Sequence, residues 1–136
     1  MSARLGTPNS QIVAAGNSTA SGRVITFGNA VAVSSLVAVW VATATVGSRT
    51  VQVQVKDAAG NICLRLPLLN AITAGQTVNI VGVAGQPIAN FATVPIIQTV
   101  PLGFDLPIPS GGSITIVDTA NIDATDQVSI ACLFSY

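Results

Sequence analysis

The sequence predicts an all-β protein, a single β-sandwich with the strand number of an eight-stranded jelly roll, an immunoglobulin-like sandwich being the second reading. Three observations predict it. Short apolar runs are separated by Gly, Asn, Pro and Ser at close spacing. One run, Val51 to Lys56, alternates apolar and polar residues with a period of two, as a strand with one wet face does. The chain has no Glu and one Lys, so it lacks the residues that build solvated helices.

In order along the chain, residues 1–22 are small and polar and read as an extended N-terminal arm, with the domain itself at 23–136. The first strand is expected at Arg23 to Phe27, ended by Gly28-Asn29. The second, Leu36 to Thr45, is apolar on both faces: Leu36, Ala38, Trp40 and Ala42 against Val37, Val39 and Val41. Such a strand is covered on both sides, within the domain or by a partner. Arg49 to Asp57 is the third strand, and Asp57-Ala58-Ala59-Gly60-Asn61 a hairpin turn in which Gly60 and Asn61 are the residues that accept positive φ. Ile62 to Leu66 returns, with Ile62, Leu64 and Leu66 inward and Arg65 outward. Thr77 to Val83, a strand near Val94 to Thr99, Ser113 to Thr119 and Gln127 to Ser135 complete the set of eight. Proline punctuates the stretch before Ser110, so Phe104 to Pro107 is expected as loop. In the last strand Val128, Ile130, Cys132 and Phe134 alternate with Ser129, Ala131 and Ser135.

At 136 residues the chain is long enough for a real core, burying roughly two thirds of its unfolded surface. Charge is scarce at 7% of residues, and the net charge is zero. The polar surface is therefore hydroxyl and amide, which costs far less to bury than charge, and this points to an assembled state. Arg4, Arg23, Arg49, Lys56 and Arg65 are scattered, so the clustered basic footprint of a nucleic-acid binder is missing. The run from Ala30 to Val46 is uncharged but shorter than a membrane-spanning helix and rich in β-branched Val, so no membrane role is expected. Met1 to Pro8 has no apolar signal region, which leads to the expectation of a chain that is not exported.

The inventory argues against catalysis. Without His there is no serine triad, and the Asp residues sit beside turns as local caps. Asp118, Asn121, Asp123 and Asp126 form an oxygen-rich corner, but the spacing lacks the central Gly and closing Glu of a calcium loop, so no metal or cofactor is expected. Cys63 and Cys132 lie in strand-like runs and are expected as buried free thiols. Trp40, between Ala38 and Ala42, is expected in the core and not on a sugar-binding platform. The expected contact residues are Arg4, Leu5, Ile12 and Val13 of the arm, Gln52 and Gln54 of an exposed strand face, and Tyr136 as an exposed anchor.

Two stretches carry a family resemblance. Trp40-Val41-Ala42-Thr43-Ala44-Thr45-Val46-Gly47-Ser48-Arg49, continuing through Val51 to Asn61, is one. Leu106-Pro107-Ile108-Pro109-Ser110-Gly111-Gly112-Ser113-Ile114, continuing through Val117 to Val128, is the other. Together they resemble small jelly-roll structural proteins of tailed bacteriophages, of the cement or decoration type. The resemblance implies a virion protein on the capsid surface, made in the bacterial host cytoplasm. Its partner would be the major capsid protein, and it would act as a homo-oligomer, a trimer or a dimer. A tail or head-to-tail connector component, or a carbohydrate-binding jelly roll for host attachment, are the alternative expectations.

Overall fold

The computed structural model describes residues 9–18, 22–85, 96–100, 102, 105–120 and 125–136. Alternating and β-branched runs become ten strands among these residues: β1 (Asn9–Asn17), β2 (Arg23–Thr26), β3 (Val31–Val41), β4 (Val51–Lys56), β5 (Ile62–Pro67), β6 (Thr77–Val83), β7 (Ile96–Thr99), β8 (Leu106–Ile108), β9 (Ser113–Asp118) and β10 (Gln127–Ser135). They form two sheets. The larger runs β1-β10-β3-β6-β7, with β8 also paired to β3, and the smaller runs β2-β9-β4-β5. Eight of the strands follow the nested order of a jelly roll, β1-β10-β3-β6 over β2-β9-β4-β5, and β7 and β8 are inserted between β6 and β9. No helix among the described residues is long and apolar enough to cross a membrane.

The count therefore exceeds the expected eight by two. Within the stretch expected as an arm, residues 9–17 pair antiparallel with β10 as an edge strand of the larger sheet. Backbone hydrogen bonding overrides their weak side-chain pattern there. Leu106–Ile108, expected as loop, pairs with Val31–Val33 because Pro107 can sit at an edge with its missing donor outward, while Leu106 and Ile108 enter the core. At the hairpin only Gly60 takes positive φ, at 87°, and Asn61 does not. Asp57 Oδ1 accepts the N–H groups of Ala59 and Asn61 at 2.9 and 2.8 Å, and the Asn61 amide donates to Oδ2 at 3.1 Å. The Asn61 side-chain amide first, with the turn N–H groups behind it, holds the Asp57 carboxyl below its ordinary value.

The inner faces build one core. Trp40, Leu36, Ile80, Ile130 and Val128 from the larger sheet meet Ile25, Ile114, Ile116, Val53 and Val55 from the smaller. Trp40 and the inward series of β10 lie where their alternation places them. β3 changes phase midway. Val31 and Val33 point inward, then Leu36, Ala38 and Trp40 do, because Ser34 is an extra residue opposite the Leu133–Phe134 step of β10. On β5 only Leu66 is buried, and Ile62 and Leu64 stay over a third exposed because β5 is the sheet's edge.

One end of the sandwich is tied by a buried ion pair. Arg49 donates from Nε to Asp126 Oδ2 at 2.9 Å and from Nη2 to Oδ1 at 3.1 Å, a two-pronged contact with both side chains at 1% exposure or less. Trp40 Nε1 donates to the same carboxylate at 3.0 Å and the Thr43 N–H at 2.8 Å. The remaining Arg49 donor, Nη1, reaches the Thr45 and Gly47 carbonyls at 3.0 and 2.5 Å. Asp126 was expected to cap its own turn; it instead reaches across 77 residues, and its local backbone carbonyl accepts from the Ser18 N–H at 2.8 Å. Burial pushes the Asp126 carboxyl upward, but the Arg49 guanidinium, the Thr43 N–H and the Trp40 indole together hold it below its ordinary value.

Removing one member leaves the other as a buried, unpaired charge. Asp126→Asn is expected to cost about 3–5 kcal/mol in urea unfolding, and combining Asp126→Leu with Arg49→Met to recover part of it; a loss under about 1 kcal/mol would mean the pair is dispensable. The pH dependence follows from the lowered folded-state value. The pair contributes fully above the unfolded carboxyl value of about 3.9 and is lost as pH falls through the lower folded value, since the unfolded chain takes up the proton first. Asp126→Asn should flatten that acid limb.

Candidate functional site

A β-sandwich offers two outer sheet faces, and here they differ in chemistry. On the smaller sheet, Lys56, Gln54 and Gln52 of β4 point outward beside Arg65 of β5 and Thr115 and Val117 of β9. Gln54, expected on an exposed face, is buried: it lies in an interior strand directly between Arg65 and Thr115, on a face where Thr115 and Val117 are buried too. Gln52 is half-buried. Gly22, at φ 74°, lies over the same face, where a Cβ would come within 2.9 Å of the Val117 side chain. This face carries charge and is partly covered by the chain itself.

The larger sheet is different. The register sets Ile12, Ala131, Val37 and Val81 in one row across β1, β10, β3 and β6. Leu133 and Val83 flank Ser35 in the next row, and Val39 and Val41 continue along β3. All of these point away from the core. Ile12 is 73% exposed, Val37 45%, Val41 41% and Leu133 47%. The polar residues around them are Ser10, Asn17, Gln127, Ser129, Thr77, Asn79 and Thr99, and no charged side chain stands among the described outward residues of β1, β10, β3, β6 and β7. Burying such a surface costs only its hydroxyls and amides, and those can re-pair.

The expected contact residues are not gathered in one place. Arg4 and Leu5 lie outside the described residues. Ile12 stands on the outer face of the larger sheet, while Val13, next to it, turns inward and packs half-buried against the core. Gln52 and Gln54 belong to the smaller sheet. Tyr136 is 65% exposed and packs edge-on against Phe134 at 5.9 Å, which in turn meets Phe27 at 5.1 Å. Val37, Val41, Val83 and Leu133 are not among the expected contacts, although the two-sided apolarity of 36–45 implies a cover on both faces, from the domain or from a partner. Among the described residues, the smaller sheet covers one of those two sides, and Val37 and Val41 on the other stay exposed.

Two members of the oxygen-rich corner, Asp118 and Asp126, are among the described residues. Asp126 is committed to Arg49, and Asp118 Oδ1 accepts the Thr50 and Ala120 N–H groups at 3.0 and 2.9 Å. Asn121 and Asp123 lie outside the described residues. Among the described residues no group of three or more acidic, Cys or His side chains could hold a metal. The cysteines are both free, but Cys63 is exposed, because it alternates outward with Arg65 on edge strand β5; Cys132 is buried.

No protein-family model matches the chain, and no characterised protein matches it in sequence. Among solved structures it is similar to a chain of the infectious bursal disease virus Gx strain, with TM-score 0.34 and 12% identity over 94% of this chain and 33% of that one. A chain of the T13 viral particle of the same virus gives TM-score 0.35 and 12% identity over 94% and 31%. The VP2 subviral particle gives 0.32 and 12% over 94% and 33%. The chain spans about a third of the length of these chains.

The two thiols should separate in a titration with a thiol reagent. Burial pushes the Cys132 thiol up to about 11, only partly offset by the Gln11 backbone N–H. One fast-reacting thiol per native chain at pH 8, and two in denaturant, is the expected result; two fast thiols in the native protein would show that β10 opens readily.

Proposed function

We propose that this chain is a structural protein of a virion, most specifically a capsid cement or decoration protein that bridges major capsid protein subunits. The observation that carries the reading is the uncharged, apolar outer face of the larger sheet. A folded chain that leaves Ile12, Val37, Val41 and Leu133 open on one continuous face has a surface suited to packing against protein. The resemblance of 40–61 and 106–128 to phage decoration proteins supplies the kind of assembly. The role is mechanical and not catalytic: interfaces of standard size, about 1,600 Å² in total, repeated over a shell, add up to substantial resistance to rupture.

A carbohydrate-binding role gains nothing from the structure, because Trp40 is sealed in the core and its indole N–H is spent on Asp126. Quantitative mass spectrometry of purified particles tests the proposal. A copy number comparable to that of the major capsid protein is expected. A handful of copies per particle would move the chain to the neck or tail, and its absence from particles would overturn the structural role.

A further inference from the structure

We propose that the outer face of the larger sheet is covered by a second copy of this chain, packed face to face about a twofold axis near Val37. The proposal rests on the virion reading only for its setting: the contact belongs to the isolated protein, and the dimer it makes would meet the capsid through its other surfaces.

Three features of the face select a second copy. The first is charge: the described outward residues carry none, so two identical faces meet without like-charge repulsion. The second is hydrogen-bond chemistry. The polar residues around the apolar row are Ser, Thr, Asn and Gln, whose hydroxyl and amide groups both donate and accept. Such a set can satisfy its own copy, whereas a surface of Lys and Arg, or of Asp, can satisfy only an opposite one. The third is area. Four neighbouring strands, β1, β10, β3 and β6, over the seven paired residues from Ser35 to Val41, make a patch of about 19 by 23 Å at ordinary strand spacings, and the four residues of β7 add about 5 by 13 Å. That is on the order of 500 Å² in projection, and more once side-chain relief is counted, toward the ~800 Å² each partner gives to a standard stable interface.

The geometry also places the axis. β3 is the middle strand of the five, and Val37 lies near the middle of its paired length, between Ala131 and Val81. In a twofold contact a residue at the axis meets its own copy. A charge at position 37 would then face the same charge, while Ile12 stands at the end of its row on edge strand β1, at the margin of the patch.

Sedimentation equilibrium of the purified chain tests this. The wild type is expected at twice its 13.7 kDa mass at micromolar concentration. Val37→Asp and Val37→Lys should each be monomeric, with at least a hundredfold weaker association, while circular dichroism shows the same strand content. Mixing the two should restore a dimer, because opposite charges then meet at the axis. Ile12→Asp, on an edge strand where folding tolerates charge, should weaken the dimer by a smaller factor. A monomeric wild type, a trimer, a dimer indifferent to Val37→Asp, or no rescue on mixing would each overturn the proposal. A monomer that is nonetheless abundant in particles would overturn the self-contact and leave the virion role standing. A dimer absent from particles would do the reverse.

Discussion

Arg49 and Asp126 set the constraint on which one end of this molecule depends. Neither charge is tolerable in the core alone, so each fixes the segment that carries the other. Asp126 stands just before β10, Arg49 just before β4, and Trp40 and Thr43 at the end of β3. Arg49 also exchanges backbone hydrogen bonds with Ile72, at 2.7 and 2.9 Å, ahead of β6. Four segments thus converge on two residues, three of them through the carboxylate and guanidinium and the fourth through the Arg49 backbone. With every strong donor and acceptor of the pair engaged, the site reads as a structural lock and not as reserve chemistry. In a chain with so few ionic groups, an internal pair is a costly use of two of them, and the return is a specified geometry.

The fold class was legible because it rests on local physics. The alternation of Val51 to Lys56 and of Val128 to Phe134 sets which side chains share a face, and those faces are found as the period dictates. Asn9–Asn17 was not legible as a strand, since its residues carry almost no inward apolar pattern and the strand exists through pairing with β10. Leu106–Ile108 was hidden for the opposite reason: its prolines signal a loop, and only the position of β3 makes an edge available. Gln54 shows a further limit. Alternation tells which way a side chain points, but burial on that side depends on where the strand lies in the sheet, and the placing of β4 between β5 and β9 is not a local property of the sequence.

The candidate surface was half legible. Apolarity on both faces of 36–42 implied that something covers both, yet the choice between the domain itself and a partner needed the sheet order. With the smaller sheet on one side only, Val37, Val39 and Val41 are left outward. The long-range pairing of aspartate and arginine was not legible at all, since Asp beside a turn is common and nothing local in 125–127 names a partner 77 residues away.

The extra residue at Ser34 gives β3 two registers in one strand. Before it, Val31 and Val33 pair with β8; after it, Ser35 to Val41 pair with β6, and the Ser34 carbonyl accepts the Ala84 N–H at the changeover, at 3.0 Å. The strand therefore works like a spliced rail, with a different neighbour on each side of the joint. Changes of side chain at the joint are local matters, but changes of length are not. Deleting one residue there would put one half of the strand out of phase, sending either Val31 and Val33 or Leu36, Ala38 and Trp40 to the wrong side. Across divergent versions of this chain, β3 should be free to drift in composition and fixed in its residue count.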